Sequence, residues 1–500
     1  MFIVNIIILP IYIFFTLLSL LGYGIVFSKI INNNYNILSL KNTVFVQGLF
    51  FVGIISGIVN FFFPLTNNIT LVILFLGFFF YIYSSDKEYF RKKNLLFIFF
   101  IVLFASILSI YAGVSDDFNY HLETINNFKS KTLFEIEHDR RISYNSFWLF
   151  LNGVYTYNIF TSTYFVLGSI LYSMTVYDSY YLYKRSIKEQ NYNLGISALF
   201  ILIFLLGVLN NYKDFGTDIP GFLILIYVFY IIFYKSFDKN ENYSNNLLFI
   251  VLILSFSAFV FKITNTLIFL YLFIIIHKID YYKINLFNLL IPFLIIVIWF
   301  FQNYNISGCL IWPQEITCFQ NNELAIQETY NIESFAKGDI NTKISVEGFS
   351  WISNWFHNHF NKILETYLIY FIILLMPIFY FYIKSKKENG ALFFNIKKKY
   401  SYLTLFILII IANLIWFNFA PAYRFGIFYN LTLIIVILNP FWLKLMRENF
   451  KSIKVYIRTI LLLVLLYFIL ENIFKIFWYE KRYSIWPPII NGQVIERINF

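Results

Sequence analysis

A chain of 500 residues that is 59% hydrophobic and only 13% charged departs from soluble globular domains, in which about a quarter of residues are charged, so a water-soluble globule is excluded. One bilayer crossing takes about 20 apolar residues, and a dozen or more crossings account for most of this chain. The net charge of +11 would suit nucleic acid if the cations formed one folded basic face; they sit instead in short breaks between apolar runs, which excludes nucleic acid as a partner and reads as membrane topology.

In chain order the apolar runs that read as spans are 3–26, 43–64, 69–84, 95–112, 163–183, 194–210, 219–235, 247–261, 264–277, 285–302, 364–383, 401–417, 425–443 and 456–476. The fold class is therefore an all-α polytopic membrane protein with about 14 transmembrane helices, in a range of roughly 11–14. The first run lacks a basic n-region and a small-residue cleavage site and reads as a span rather than a signal peptide. The two runs flanking Lys262 read as two spans or as one broken helix. The run 146–162 contains Asn152, Gly153 and Asn158 and reads as re-entrant or interfacial. The chain divides into N-terminal spans (1–112), a first outer loop with a juxtamembrane and re-entrant segment (113–162), central spans (163–302), a large outer loop (303–363), C-terminal spans (364–476) and an outer tail (477–500).

Short cytoplasmic loops carry an excess of Lys and Arg. The breaks holding Lys87/Arg91/Lys92/Lys93, Lys184/Arg185/Lys188, Lys384–Lys399 and Lys444–Arg458, with Lys29, Lys41, Lys235, Lys239, Lys278 and Lys283, hold 24 of the 38 cations and are expected to face the cytoplasm. The long breaks 113–145, 211–218, 303–363 and 418–424 then all fall on the outer side, where the polar chemistry gathers.

The first outer break reads Ser115-Asp-Asp-Phe-Asn-Tyr-His-Leu-Glu-Thr-Ile-Asn-Asn-Phe128. Leu122, Ile125 and Phe128 recur at helical spacing, which predicts a short amphipathic helix on the membrane surface, started by Ser115, Asp116 and Asp117. One Asp suffices as a cap; a second acid at a span mouth suits a general base for a sugar hydroxyl. Next, Glu135-Ile-Glu-His-Asp-Arg-Arg-Ile-Ser-Tyr-Asn-Ser146 sets Arg140 and Arg141 on the outer side against the topological bias. They either clasp a phosphate or pair locally with Glu135, Glu137 or Asp139.

Further on, Asn210-Asn-Tyr-Lys-Asp-Phe-Gly-Thr-Asp-Ile-Pro-Gly221 brings Asp214 and Asp218 to the same outer level, with Thr217 or Asp218 able to cap the following span. Lys262 lies between two apolar runs, where a charge is costly unless it meets a cavity, an anion or an interface. Cys309 and Cys318, nine residues apart in an oxidising outer loop, are expected to form a disulfide around Pro313. His357-Asn-His359, preceded by Trp351 and Trp355, reads as an interfacial helix in preference to a metal pair. Ala420-Pro-Ala-Tyr-Arg-Phe-Gly426 places Arg424 at the start of a span, either snorkelling to headgroups or contacting a buried phosphate. There is no P-loop or GxGxxG run, so a donor arrives through the lipid. No metal cluster is evident, which leaves a divalent cation open as a cofactor.

Asp116-x-x-x-Tyr120-His121-Leu122, His138-x-Arg140-x-x-x-Tyr144-Asn145-Ser146, Thr217-Asp218-Ile219-Pro220, Lys262, Ser307-Gly308 with Trp312-Pro313, and Ala420-Pro-x-x-Arg424-Phe425 follow one another in an order that resembles the GT-C superfamily of membrane glycosyltransferases. Glu135-Ile-Glu-His138 departs from that family in lacking a Gly-rich approach. The resemblance implies inverting transfer from a polyprenyl-phosphate-linked sugar donor to a glycan or lipid acceptor at the outer face of a bacterial cytoplasmic membrane. It makes 113–162 the catalytic loop, with Asp116 as general base and Asp117 beside it. Arg140, Arg141, Lys262 and Arg424 then hold the lipid phosphate, and Tyr120, His121, Asn145, Asp214 and Asp218 shape the sugar pocket. An O-antigen-type polymerase would rely on arginines without an essential carboxylate; a polysaccharide flippase or transporter would place charges at mid-membrane and often show internal repeats.

Overall fold

The computed structural model describes residues 2–31, 40–84, 92–109, 120–137, 139, 141–159, 162–209, 216–237, 245–276, 286–319, 323–338, 349–387, 400–480, 489–490 and 493–494. The helices are α1 (Phe2–Ile30), α2 (Lys41–Phe62), α3 (Asn67–Ser84), α4 (Lys92–Leu108), α5 (Leu122–Ser130), α6 (Phe147–Val154), α7 (Leu167–Lys188), α8 (Tyr192–Gly207), α9 (Asp218–Phe237), α10 (Asn245–Phe261), α11 (Ile268–Ile276), α12 (Leu286–Ser307), α13 (Glu323–Lys337), α14 (Ile352–Trp355), α15 (Asn361–Lys387), α16 (Tyr400–Phe419), α17 (Tyr423–Glu448) and α18 (Phe450–Glu480). Two small antiparallel hairpins accompany them, β1 (Thr156–Ile159) with β2 (Ser162–Phe165) and β3 (Ile489–Ile490) with β4 (Gln493–Val494).

Among the described residues nine helices are long and apolar enough to cross a membrane. The remaining expected spans fall on the shorter apolar helices α4, α8, α10 and α11 and on α7. α7 is long but buries Ser169, Ser173, Thr175, Asp178 and Ser179. Asp178 accepts the backbone N–H groups of Lys41 at 3.3 Å and Asn42 at 2.9 Å, so one helix satisfies first-turn donors that α2 cannot satisfy itself. α1 meets α3 at Gly22, where an added Cβ would lie 2.0 Å from the carbonyl oxygen of Gly77; small residues allow this backbone approach where the surrounding lipid is as apolar as the helices. α9 is buried along most of its length, while α3, α15, α16 and α18 are buried along less than a third of theirs, an arrangement of central and lipid-facing helices.

Helix α5 begins at Leu122, after the stretch in which Ser115, Asp116 and Asp117 lie outside the described residues. Leu122, Ile125 and Phe128 are buried, and the Phe128 ring meets Phe150 of α6 edge-on with centroids 5.0 Å apart. This corrects the expectation of a stripe lying on lipid, because helical spacing marks an apolar face without saying which apolar medium covers it. The run 146–162 does not cross the bundle: α6 has 8 residues, about 12 Å, and turns into β1. The long segment 303–363 contains α13, which its sequence did not suggest. α14 runs through a π-turn at Phe356–Phe360 into α15, and His357 is exposed where His359 is buried.

Candidate functional site

Three helix ends converge. Asp218 opens α9, where the unpaired N–H groups of a first turn favour a carboxylate. Lys262 sits in the break after α10, which continues as a 3₁₀ turn over Ile263–Leu267. One turn below Asp218, Gly221 admits Asn265: a Cβ there would lie 2.1 Å from the Asn265 amide nitrogen, which donates to the Ala258 carbonyl at 2.8 Å and so ties the turn back onto α10. The break thereby presents Lys262 Nζ to Asp218 Oδ1 at 2.9 Å. Arg424 enters from the first turn of α17, its Nε 3.7 Å from Asp218 Oδ2.

Aromatic rings hold the two cations. The Phe425 ring lies 5.1 Å from Lys262 Nζ and 5.1 Å from Arg424 Cζ, and Phe335 of α13 covers the Arg424 guanidinium at 5.3 Å, distances at which a ring face attracts a cation. The Phe335 carbonyl in turn accepts His359 Nε2 at 3.1 Å. His121 is buried and within electrostatic reach of Asp218; its ring stands 4.2 Å from that of Tyr120, over which Arg141 lies at 6.0 Å. The side chains of Lys262, Asp218 and Arg424 remain 26%, 21% and 41% exposed, so the cluster is open at one end of the bundle. Two cations share one carboxylate, and Arg424 makes no hydrogen bond among the described residues. Among the described residues this sets two cations against one carboxylate and leaves the guanidinium donors to other partners, an arrangement suited to binding an anion.

Of the residues singled out from sequence, Asp218, Lys262, Arg424, His121 and Tyr120 are thus brought together, with Arg141 at the edge. Asp116, Asp117, Arg140 and Asp214 lie outside the described residues. Of the acids that could pair locally with the arginines, Glu135 closes a capping box on the Thr132 N–H at 2.8 Å, hydrogen bonds that hold its carboxyl below the usual range, and Asp139 accepts the backbone N–H groups of Arg141 and Ile142. Asn145, expected in the sugar pocket, links two elements. It is buried, its amide donates to Asn303 Oδ1 at 2.9 Å, and its carbonyl accepts Trp299 Nε1 at 2.8 Å. Next to it, Ser146 Oγ donates to the Phe261 carbonyl at 2.6 Å, directly before Lys262. Cys309 and Cys318 form the expected disulfide, packed with Trp312 against Ala325 of α13. Among the described residues no group of three His, Cys, Asp or Glu side chains is placed to hold a metal. Phe335 escaped sequence reasoning, since nothing in the loop spacing links it to Arg424, 89 positions on; His359, read from sequence as part of an interfacial helix, adjoins the site through the Phe335 carbonyl.

Apolar spans around a charged cluster at one end define an all-α, multi-spanning membrane protein. Residues 3–431 match the family described as domain of unknown function DUF8201, and the chain belongs to that family; the match includes Asp218, Lys262 and Arg424. No curated protein and no solved structure matches the chain.

Proposed function

We propose that the chain is a membrane glycosyltransferase that takes a sugar from a polyprenyl-phosphate-linked donor and passes it to a glycan or lipid acceptor at the extracytoplasmic face of a bacterial cytoplasmic membrane. The observation that supports this reading best is the convergence of Lys262 and Arg424 on Asp218 from three helix ends. A leaving lipid phosphate gains negative charge as its bond to the anomeric carbon breaks, and fixed cations stabilise that charge. Asp218 orients the two cations before the donor binds and yields them to the phosphate. Asp116 removes the proton of the acceptor hydroxyl as its oxygen attacks the anomeric carbon; the carbon–phosphate-oxygen bond breaks, and the lipid phosphate departs between Arg424 and Lys262.

The test is transfer from a lipid-linked sugar donor in proteoliposomes. Asp116→Asn is expected to insert normally and lose about 10²- to 10⁴-fold in rate, the usual scale of a general base, and Arg424→Ala to lose donor binding as well. Full activity of Asp116→Asn with a dead Arg424→Ala would replace this mechanism by the arginine-based chemistry of a polymerase. Counterflow of a labelled lipid-linked sugar with no new glycosidic bond would replace it by transport.

A further inference from the structure

We infer that the disulfide-closed loop 308–319 is a membrane foot that rests in the boundary between headgroups and acyl chains, and that its occupant is phospholipid. α12 carries an outward stripe of Leu290, Phe293, Val297, Phe301 and Tyr304, each between 45% and 58% exposed, at the three- and four-residue spacing of one helix face. The opposite face, with Ile295, Ile298 and Trp299, is buried. In a span, such a stripe is the lipid-facing side. It does not stop where α12 ends: Phe319 packs edge-on against Tyr304 with centroids 5.1 Å apart and is itself 67% exposed, and Ile316 in the same loop is 94% exposed.

The loop is built to hold these side chains outward. Cys309 and Cys318 are bridged, the Leu310 N–H reaches the Thr317 carbonyl at 3.0 Å, and the Phe319 N–H reaches the Gly308 carbonyl at 3.1 Å. Its other side, Trp312, is buried against Ala325. A rigid loop with one apolar face in the protein and another continuing a lipid-facing stripe just past the helix end has the composition and position of an interfacial anchor, where aromatic side chains concentrate.

Both native cysteines are bridged, so Ile316→Cys in the full chain offers a single reactive thiol for a nitrobenzoxadiazole label. In vesicles of phosphatidylcholine and phosphatidylglycerol, the label is expected to lose most of its emission to lipid spin-labelled high on the acyl chain and little to aqueous iodide, and Phe319→Cys should behave alike. Quenching by iodide and not by the spin-labelled lipid at both positions would overturn the inference. Protection from both quenchers would overturn it too, since the loop would then be covered by protein, as in a contact between two copies.

Discussion

Asp178 and Asp218 are both carboxylates within the helical bundle, and their surroundings differ in kind. Asp178 is fully buried and its partners are backbone N–H groups of α2. Asp218 is half-buried, and its partners are two long side chains that arrive from other helices. Tyr230 of α9 donates to Ser179 at 2.8 Å, which sets the Asp178 level about 12 residues, or roughly 18 Å, along α9 from Asp218. A fully buried carboxylate tied to fixed backbone donors is not placed to exchange them for a ligand. One that shares side-chain cations, with charge to spare, can be displaced by a competing anion.

The largest expected effect separates the two acids. Asp178→Ala strands two buried donors at about 1–3 kcal/mol each, so the midpoint of thermal unfolding in detergent should fall while affinity for polyprenyl phosphate stays unchanged. Asp218→Ala should cost less, because Lys262 and Arg424 keep 26% and 41% of their side chains exposed and can turn to solvent. Its affinity for polyprenyl phosphate should rise by about tenfold, equivalent to 1.4 kcal/mol, because the competing carboxylate is gone. Exchanged behaviour of the two variants, read by melting and by binding of the phosphate lipid, would erase the distinction.

A smaller effect probes how the Asp218 end is assembled. Gly221→Ala pushes a methyl group into the Asn265 amide, so the bond to the Ala258 carbonyl breaks and the turn carrying Lys262 shifts. A loss of about 1–3 kcal/mol is typical of such overpacking, accompanied here by weaker phosphate-lipid binding. At Gly207 of α8 the nearest atom to an added Cβ is 3.5 Å away, and Gly207→Ala should leave both properties alone. Unchanged binding in Gly221→Ala would mean that the turn does not position Lys262.

The apolar runs were legible because hydrocarbon tolerates so few polar residues that each span announces itself by composition. Asp218, Lys262 and Arg424 stood out for the same reason: a charge at the edge of an apolar run is expensive and needs a partner. Phe335 was not legible, because a ring becomes a cation's partner only through tertiary placement, and α13 carries no span-like signal. The contacts of Asn145 were not legible either, because a polar residue beside arginines looks the same in sequence whether it faces a ligand or links two elements. The apolar stripe of α5 misled in a related way, since α6 and lipid present equally apolar surfaces to it.

The finest test concerns a third kind of charge, one held by neither a backbone donor nor an ion pair. Lys129 in α5 donates to the Thr156 carbonyl and lies 5.2 Å from the Tyr157 ring, pinning the juxtamembrane helix to the β1–β2 hairpin. Burial pushes its ammonium down to about 8 from an ordinary 10.5. Between those values the unfolded chain holds a proton that the folded chain has released, so stability rises with pH over that window, whereas below it both states are charged and the folded one bears the full desolvation cost. Unfolding midpoints measured in detergent from pH 8 to 10.5 should therefore show a rise in the native protein that Lys129→Met lacks, with every other titrating group common to both. The same pH profile in the two proteins would place the Lys129 ammonium in water and leave α5 docked by its apolar face alone.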